Sequence, residues 1–267
     1  MSVPEVFFLS QTSGTHRCLF IVLLCSLLTQ EVQAQALSNL RDTTVNGWLL
    51  QVHYARHWPF ADLADRFGSN NAIGGAVKRK TSRNWLWSLE GSYLFSGNIK
   101  EDTIVDGLLT SEGFFIGLNG LASSVLLFER GFTFHLNGGK LFALSSSRPN
   151  SGLQVMAGVG ILQHKIKIED PDQNVPYVTG EYAKGYDRLT NGWALRQYIG
   201  YLNLDERRRL NFEIGIEALQ GFTRNRRPWN FDQMKKDDRR RLDVLLGLRL
   251  TWMLPFYGRS EERFYTY

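Results

Sequence analysis

The side chains with the best potential for acid-base chemistry are four histidines that follow residue 34. They are His53, His57, His135 and His164. Hydrolysis of a lipid would require a histidine within reach of a serine and a carboxylate, and no recognisable Ser-His or Glu-x-x-His motif surrounds any of the four. His53 and His135 occupy inward-facing strand positions that could approach Glu90. They are therefore the candidate residues for a lipid-A-modifying enzyme, the alternative to a protein without catalysis.

The sequence carries no motif for a metal ion or a cofactor. Zinc-ligand spacing, a Gly-rich phosphate loop after a strand and a nucleophile elbow are all missing. The aspartates at Asp170 and Asp172 lack the spacing of a dedicated calcium site. We therefore expect no catalytic residue, no metal ligand and no cofactor, and a protein that is not an enzyme.

Several segments of the chain alternate apolar and polar residues, and six charged residues lie on the less apolar faces of these segments. They are Lys78, Glu90, Arg196, Glu213, Glu217 and Arg249. Asp243 has the same parity. A Lys or Arg at the bilayer midplane on a lipid-facing position would cost about 2 to 4 kcal/mol. We therefore expect these charges to point away from lipid and to form a network inside a lumen.

The segments that hold these charges alternate apolar and polar residues with a period of two, which is typical of β-strands. The clearest is 241–254, where one face carries Leu248, Leu250 and Trp252 and the other carries Asp243 and Arg249. An amphipathic helix over the same stretch would leave Leu248 and Trp252 on its wet side. The length matches a tilted membrane-crossing strand of roughly 9 to 11 residues with some overhang.

Seven further segments show the same alternation, so the sequence predicts eight strands in all. The others are 47–56, 72–80, 85–95, 130–142, 152–163, 192–204 and 210–220. Short joins at 81–84, 145–150 and 205–209 alternate with four long ones, as in outer-membrane barrels with tight periplasmic turns and long outer loops. The predicted fold is all-β: a transmembrane antiparallel β-barrel of about eight strands with long structured extracellular loops.

Eight strands enclose an interior just wide enough for side chains, so we expect a plugged, salt-bridged lumen rather than a pore. Aromatic residues near the predicted strand ends fit the girdles found at membrane interfaces. They are Trp48, Phe95, Trp85, Trp193 and Trp252.

Residues 1–34 have the features of a secretory signal peptide. Arg17 precedes an apolar run over 19–28 that is too short to span a bilayer, and small residues allow cleavage after Ala34 or Ala36. Both cysteines, Cys18 and Cys25, fall inside this segment, which leaves no disulfide framework; a lipoprotein at Cys25 is disfavoured because Leu24 precedes it. We expect export to the Gram-negative outer membrane, a barrel over 35–256 and a periplasmic tail over 257–267.

The second loop, 97–129, is too apolar for a plain solvated loop. We predict that Phe114, Phe115 and Ile116 bind a partner protein of the outer membrane, or that the loop packs into a cap, and both can hold. In the first loop, 57–71, Asp62 is expected to cap a helical turn that buries Leu63 and Phe67 and ends at Gly68.

The fourth loop, 221–240, interleaves basic and aromatic residues. Arg224, Arg226, Arg227 and Trp229 could bind lipopolysaccharide phosphates or a glycan; a solvated charged loop is the alternative. The net charge of +5 is spread over loops and turns, so it indicates no nucleic-acid partner.

Several short motifs are similar to those of a known group of proteins. They are 62–68 (DLADRFG), 85–91 (WLWSLEG), 127–131 (LFERG), 185–192 (GYDRLTNG) and 264–267 (FYTY). Together they resemble a family of small outer-membrane barrel proteins from Bacteroidota, close in size and layout to OmpA-type and PorT-like eight-stranded barrels. The resemblance implies a structural or accessory subunit of an envelope assembly or secretion complex, and it supplies no catalytic residues. A surface adhesion or glycan-binding barrel is a further alternative.

Overall fold

The computed structural model describes residues 44–204 and 210–257, which form a closed barrel of eight antiparallel strands and a separate two-stranded sheet. The strands are β1 Gly47–Ala61, β2 Asn70–Lys80, β3 Trp85–Ser96, β4 Phe115–Ile116, β5 Ala122–Ser123, β6 Leu126–Ala143, β7 Gly152–Glu169, β8 Thr190–Asn203, β9 Phe212–Asn225 and β10 Arg240–Tyr257. Every barrel strand pairs with its neighbour in the chain, and β1 closes the ring on β10. This confirms the predicted fold class.

Four short 3-10 segments lie in the loops at one end of the barrel. They are Asp62–Asp65, Asp102–Leu108, Pro176–Val178 and Tyr182–Gly185. No helix within 44–204 and 210–257 has the length and apolarity needed to cross a membrane. The signal peptide over 1–34, the turn over 205–209 and the tail beyond residue 257 lie outside the described residues.

Several strands are longer than the alternation predicts, and most of the added length lies at the long-loop end. β1 continues past residue 56 to Ala61, and β6 begins at Leu126 instead of residue 130. The ladder between β6 and β7 runs unbroken from Leu126 opposite Glu169 to Ala143 opposite Gly152. Backbone hydrogen bonding between strands does not require apolar side chains. Strand pairing can therefore continue above the apolar belt, where the side chains no longer alternate between apolar and polar.

Side chains alternate between the barrel surface and its interior along every strand. On β10, Leu248 is 55 % exposed and the next residue, Arg249, is 3 % exposed. Apart from Arg56 of β1, the outward residues carry no charge in mid-strand, and Trp48, Trp85 and Trp252 lie at the short-turn end of the apolar belt. This sidedness is the one that the period of two predicts.

The barrel interior is filled in three layers. An apolar cluster that includes Leu86, Leu141 and Met253 occupies the short-turn end. Charged side chains occupy the middle, as described below. A second apolar cluster begins with Ala55 and Leu94 in the upper lumen and continues into the long loops.

Candidate functional site

Two arginines and two glutamates form the centre of the charged layer, here called the lumen cluster: Glu90, Arg196, Glu217 and Arg249. Arg249 donates from Nη1 to Glu90 Oε1 at 2.9 Å and from Nη2 to Glu90 Oε2 at 3.0 Å. It also reaches Glu217 Oε2 at 3.1 Å. Arg196 contacts the same carboxylates, Glu90 at 3.1 Å and Glu217 at 2.7 Å. The four formal charges therefore cancel.

Lys78 and Glu213 form a second buried pair beside the lumen cluster. Lys78 Nζ lies 2.6 Å from Glu213 Oε2 and donates to Gln154 Oε1 at 3.2 Å. Gln51 donates to the same glutamate oxygen at 3.2 Å. The structure thus places all six predicted lumen residues in one charged layer, where each buried carboxylate has a cation beside it.

His53 makes a contact that the sequence did not reveal. Its Nε2 lies 2.7 Å from Ser92 Oγ, although β1 and β3 are separated by β2. A Cβ on Gly74 of β2 would lie 2.6 Å from His53 Nε2, so the imidazole crosses the sheet only because that residue is glycine. His53 and His135 are both buried in the lumen; neither lies at the membrane edge where a lipid substrate would approach.

A hydrogen-bonded column joins the lumen cluster to the base of the long loops. His57 Nε2 lies 2.8 Å from Glu217 Oε1, and its Nδ1 lies 3.1 Å from Asn70 Oδ1. Asn70 Nδ2 in turn donates to Glu129 Oε1 at 2.9 Å. Sequence reasoning missed the column because it placed His57 and Asn70 in a loop, and only the extended β1–β2 ladder turns both inward.

The long loops pack together into a cap, formed by loop one (62–69), loop two (97–125), loop three (170–189) and loop four (226–239). Buried Arg188 of loop three donates twice to Asp232 of loop four, at 2.8 and 2.5 Å. Its Nε reaches Glu101 of loop two at 2.9 Å, and Arg66 of loop one contacts that glutamate at 3.0 Å. Burial alone would lower the pKa of Arg188, but the two carboxylates raise it above its usual value. One arginine therefore connects three loops directly and the fourth through Glu101.

Loop one folds as a helical turn, but Asp62 does not cap it. Asp62 is the first residue of the turn and follows Ala61, which has φ 54°. Its carboxylate instead accepts the backbone N–H of Leu242 at 2.8 Å and the Arg239 side chain at 2.6 Å. The turn ends at Asp65 rather than Gly68, while Leu63 and Phe67 are buried as expected. Tertiary contacts with β10 and loop four outcompete the local cap.

The predicted ligand residues of the fourth loop divide between two environments. Arg227 is engaged inside the cap, where it pairs with both oxygens of Asp187 through Nε at 2.7 Å and through Nη2. Arg224 lies on β9 and faces outward, and Trp229 is partly exposed. Arg226 donates from Nε to Asn191 Oδ1. The four side chains therefore do not converge on one ligand.

The predicted partner residues of loop two also divide, in a regular way. Phe115 is buried in the cap against Tyr177, with ring centroids 6.5 Å apart. Phe114 and Ile116, on either side of it, are 51 % and 56 % exposed. Strands β4 and β5 pair Phe115 with Ser123 and Ile116 with Ala122. The loop therefore forms both a cap and an exposed apolar hairpin.

The solved structures that resemble this chain in architecture include the three that follow. No protein-family model and no curated protein matches it. Ail, the attachment invasion locus protein of Yersinia pestis, is 10 % identical with a TM-score of 0.43, and the match covers 78 % of this chain and 99 % of Ail. Neisserial surface protein A is 8 % identical with a TM-score of 0.40, and the match covers 77 % of this chain and 96 % of that protein. OprG of Pseudomonas aeruginosa is 12 % identical with a TM-score of 0.35, and the match covers 83 % of this chain and 100 % of OprG.

The distribution of polarity is that of an outer-membrane protein. The barrel closes without a free edge, its outer face is mainly apolar between the strand ends, and the lumen cluster lies inside. Closure satisfies the backbone in lipid, and an apolar outer face removes the cost of burying charge there. The chain is a transmembrane β-barrel of the outer membrane. Among the residues that the structure describes, no group of three His, Cys, Asp or Glu side chains is placed to hold a metal ion.

Proposed function

We propose that this protein is a non-enzymatic outer-membrane barrel whose loop-two hairpin docks a partner protein of the cell envelope. It would act as a structural or accessory subunit of an assembly or secretion complex. The resemblance of its motifs to small outer-membrane barrels of Bacteroidota, and of its size and layout to PorT-like barrels, supports this role. Export through a signal peptide over 1–34 is part of the proposal.

The observation that carries the proposal is an apolar surface on a rigid support. The hairpin is held from below: Leu118 N–H donates to Asn174 O at 2.9 Å, and Tyr177 Oη donates to Ile116 O at 2.8 Å. On its outer side Leu118 is 76 % exposed and Leu121 is 66 % exposed, next to Phe114 and Ile116. Exposed apolar side chains in a preorganised element are typical of protein interfaces.

Membrane lipid does not account for this exposure. The outward aromatic residue Phe132 of β6 lies at the upper edge of the apolar belt, and β6 continues six residues further to Leu126 before the hairpin. At about 3.4 Å per residue, those six residues extend the strand by about 20 Å. The hairpin is therefore on the solvent side, where four exposed apolar side chains need a partner to cover them.

Burial of the candidate catalytic residues argues against the enzymatic alternative. The Ser92–His53 pair lies inside the lumen, below the apolar part of the cap and above the charged layer's Lys78. A lipid acyl chain outside the barrel is separated from it by the strand backbone. The pair fits a structural hydrogen bond better than an acyl-transfer site.

The test is a mild-detergent purification of the tagged native protein with quantitative mass spectrometry. A variant with Phe114→Ser, Ile116→Ser and Leu118→Ser removes the exposed side chains and keeps buried Phe115. The matched control is Met234→Ser with Tyr182→Ser, which are equally exposed cap residues away from the hairpin.

We expect one stoichiometric envelope protein to copurify with the native and control proteins and to be lost from the hairpin variant. Heat-modifiable gel migration of all three proteins would show that the barrel is intact. A native barrel recovered alone, or a partner retained by the hairpin variant, would contradict the proposal.

A further inference from the structure

The outer ends of β6, β7, β9 and β10 carry basic side chains on their lipid-facing parity. Arg130 lies two residues above Phe132 on β6, Arg224 two residues above Phe222 on β9, and the partners opposite them are also basic. In the ladders, Arg130 is opposite Lys165 and Arg224 is opposite Arg240. Like charges directly opposite each other on neighbouring strands destabilise a sheet. Two such pairs on one side of the barrel indicate that an anion offsets them.

The protein itself supplies little compensating charge to these cations. Arg130 lies 4.0 Å from Glu169, whose shorter contact, 2.6 Å, is with Lys167. Within residues 44–204 and 210–257, no carboxylate lies within 4.0 Å of Lys165, Arg224 or Arg240. By contrast, buried Arg66 and Arg188 and half-buried Arg227 all have carboxylate partners. The rim cations Lys165, Arg224 and Arg240 therefore lack the carboxylate partners that the arginines of the cap have.

An apolar crevice of about 180 Å³ lies below and between the two basic pairs. Its apolar wall includes Phe132, Ile161 and Trp193, and Trp193 is 73 % exposed. Its upper edge is polar: Arg226 donates to Asn191, and Asn191 donates to Gln163 Oε1 at 3.3 Å. The Nε of Arg226 is occupied, and its terminal nitrogens form no hydrogen bond or ion pair with the residues that the structure describes. The apolar wall of the crevice could therefore contact an acyl chain, and the Arg226 guanidinium at its upper edge could contact a lipid headgroup.

The basic rim covers only one side of the barrel. On the opposite side, β1 to β3, the outward residues at the same end include Asn71, Tyr93 and Trp58, which are uncharged. The one cation there, Arg56, is engaged by Asn71 Oδ1 at 2.9 Å and by Ser69 Oγ at 2.5 Å. A general attraction to an anionic membrane surface would need no such asymmetry, whereas a lipid bound at one place would produce it.

We infer that the β6–β10 face binds a phosphate-bearing lipid of the outer leaflet. One acyl chain lies along Trp193 in the crevice, and the anionic headgroup is held by Arg226, by Arg224 with Arg240, and by Arg130 with Lys165. Arginine recognises phosphate through paired N–H donors, and contacts made near the membrane interface are screened less than those in open solvent. Lys165 lies on β7 and Arg226 directly follows β9. Strands β7 and β9 are two strand spacings apart, about 10 Å, so the headgroup would place its anionic groups at about that separation. The inference is independent of the hairpin and its partner.

The test compares binding of lipopolysaccharide with that of its enzymatically dephosphorylated form, using the full-length barrel in neutral detergent. The variant Arg224→Gln with Arg240→Gln removes one like-charge pair. The control is Arg79→Gln with Lys140→Gln, which removes two outward cations at the short-turn end, where they cover Trp48 and Trp85. A third variant, Trp193→Ser, removes the most exposed side chain of the apolar wall and leaves Phe132 and Ile161 in place.

We expect R224Q/R240Q to bind lipopolysaccharide at least tenfold more weakly than the native protein, and R79Q/K140Q to bind it normally. The dephosphorylated lipid should bind weakly and equally to all three. Unfolding of R224Q/R240Q without lipid should occur at the native temperature or above it, because the change relieves repulsion; this separates lost binding from misfolding.

Two results would overturn the inference. One is equal affinity of the native protein for phosphorylated and dephosphorylated lipid. The other is a pair of findings: inorganic phosphate at matched phosphate concentration displaces lipopolysaccharide, and W193S does not change the affinity for lipopolysaccharide. Together they would show that the site binds free anions and not a lipid.

Discussion

The lumen cluster and the cap both pair arginine with carboxylate, but under different constraints. In the lumen, Glu90, Arg196, Glu217 and Arg249 are each no more than 4 % exposed and extend from strands whose register is set by the ladder. In the cap, the carboxylates that hold Arg188 are partly exposed, Glu101 by 21 % and Asp232 by 17 % of their side chains. Water can reach an orphaned cap carboxylate and cannot easily reach one in the lumen.

This difference sets the cost of breaking a pair in each region. Removal of one partner from a buried ion pair leaves an uncompensated charge at low dielectric, which costs about 3 to 5 kcal/mol. Where solvent can take over from the missing partner, the loss is nearer the value of the hydrogen bonds themselves. The same arginine chemistry therefore stabilises the barrel as a whole in the lumen and the loop arrangement in the cap.

The largest effect is expected for Arg249→Met in the lumen cluster. It leaves Arg196 as the one arginine that contacts both Glu90 and Glu217, so we expect the free energy of unfolding to fall by about 3 to 5 kcal/mol. Adding Glu90→Gln restores neutrality and should recover part of that loss. Urea unfolding in detergent, followed by gel migration, measures both variants. A double variant no more stable than R249M would show that the charge balance of the cluster does not matter.

A smaller and more local effect is expected for Arg188→Leu in the cap. It removes hydrogen bonds to Asp232 and Glu101 and should cost about 1.5 to 3 kcal/mol of cap stability. Limited proteolysis should then cleave loops three and four faster, while the barrel keeps its heat-modifiable migration. Lys184→Leu is the control, because its pair with Glu181 is exposed and contributes little. Global unfolding of R188L would contradict the separation of cap from barrel.

The smallest effect is expected for the pH dependence of loop four. Burial would raise the pKa of Asp237, but its hydrogen bond from Arg241 at 2.7 Å and the nearby charges lower it below its usual 3.8. A lowered pKa contributes stability that is present above pH 3.8 and is lost as the pH falls through the lowered value. Proteolysis of loop four should therefore accelerate below pH 3.8, and Asp237→Asn should remove that dependence. An unchanged pH profile in D237N would assign it to another group.

Much of the barrel was predictable, because strand side chains alternate and lipid penalises charge. The eight strands and their sidedness follow from the alternation of apolar and polar residues, such as Leu248 next to Arg249. Strand ends were predicted less well. Above the apolar belt, Glu129 and His164 lie on the paired strands β6 and β7, where apolar residues no longer occupy every second position. The alternation in the sequence therefore ends before the strand pairing ends.

The amino-acid sequence by itself determined which residues face lipid and which face the interior, since parity is a local property of a strand. Only the tertiary structure decided which interior residues meet. The Ser92–His53 bond crosses Gly74, and Arg188 joins loops that are far apart in the chain. It also decided that Arg227 pairs with Asp187 inside the cap while Arg224 faces outward. Loop contacts of this kind depend on the closed ring, which brings distant segments to one end of the barrel and leaves no local periodicity to reveal them.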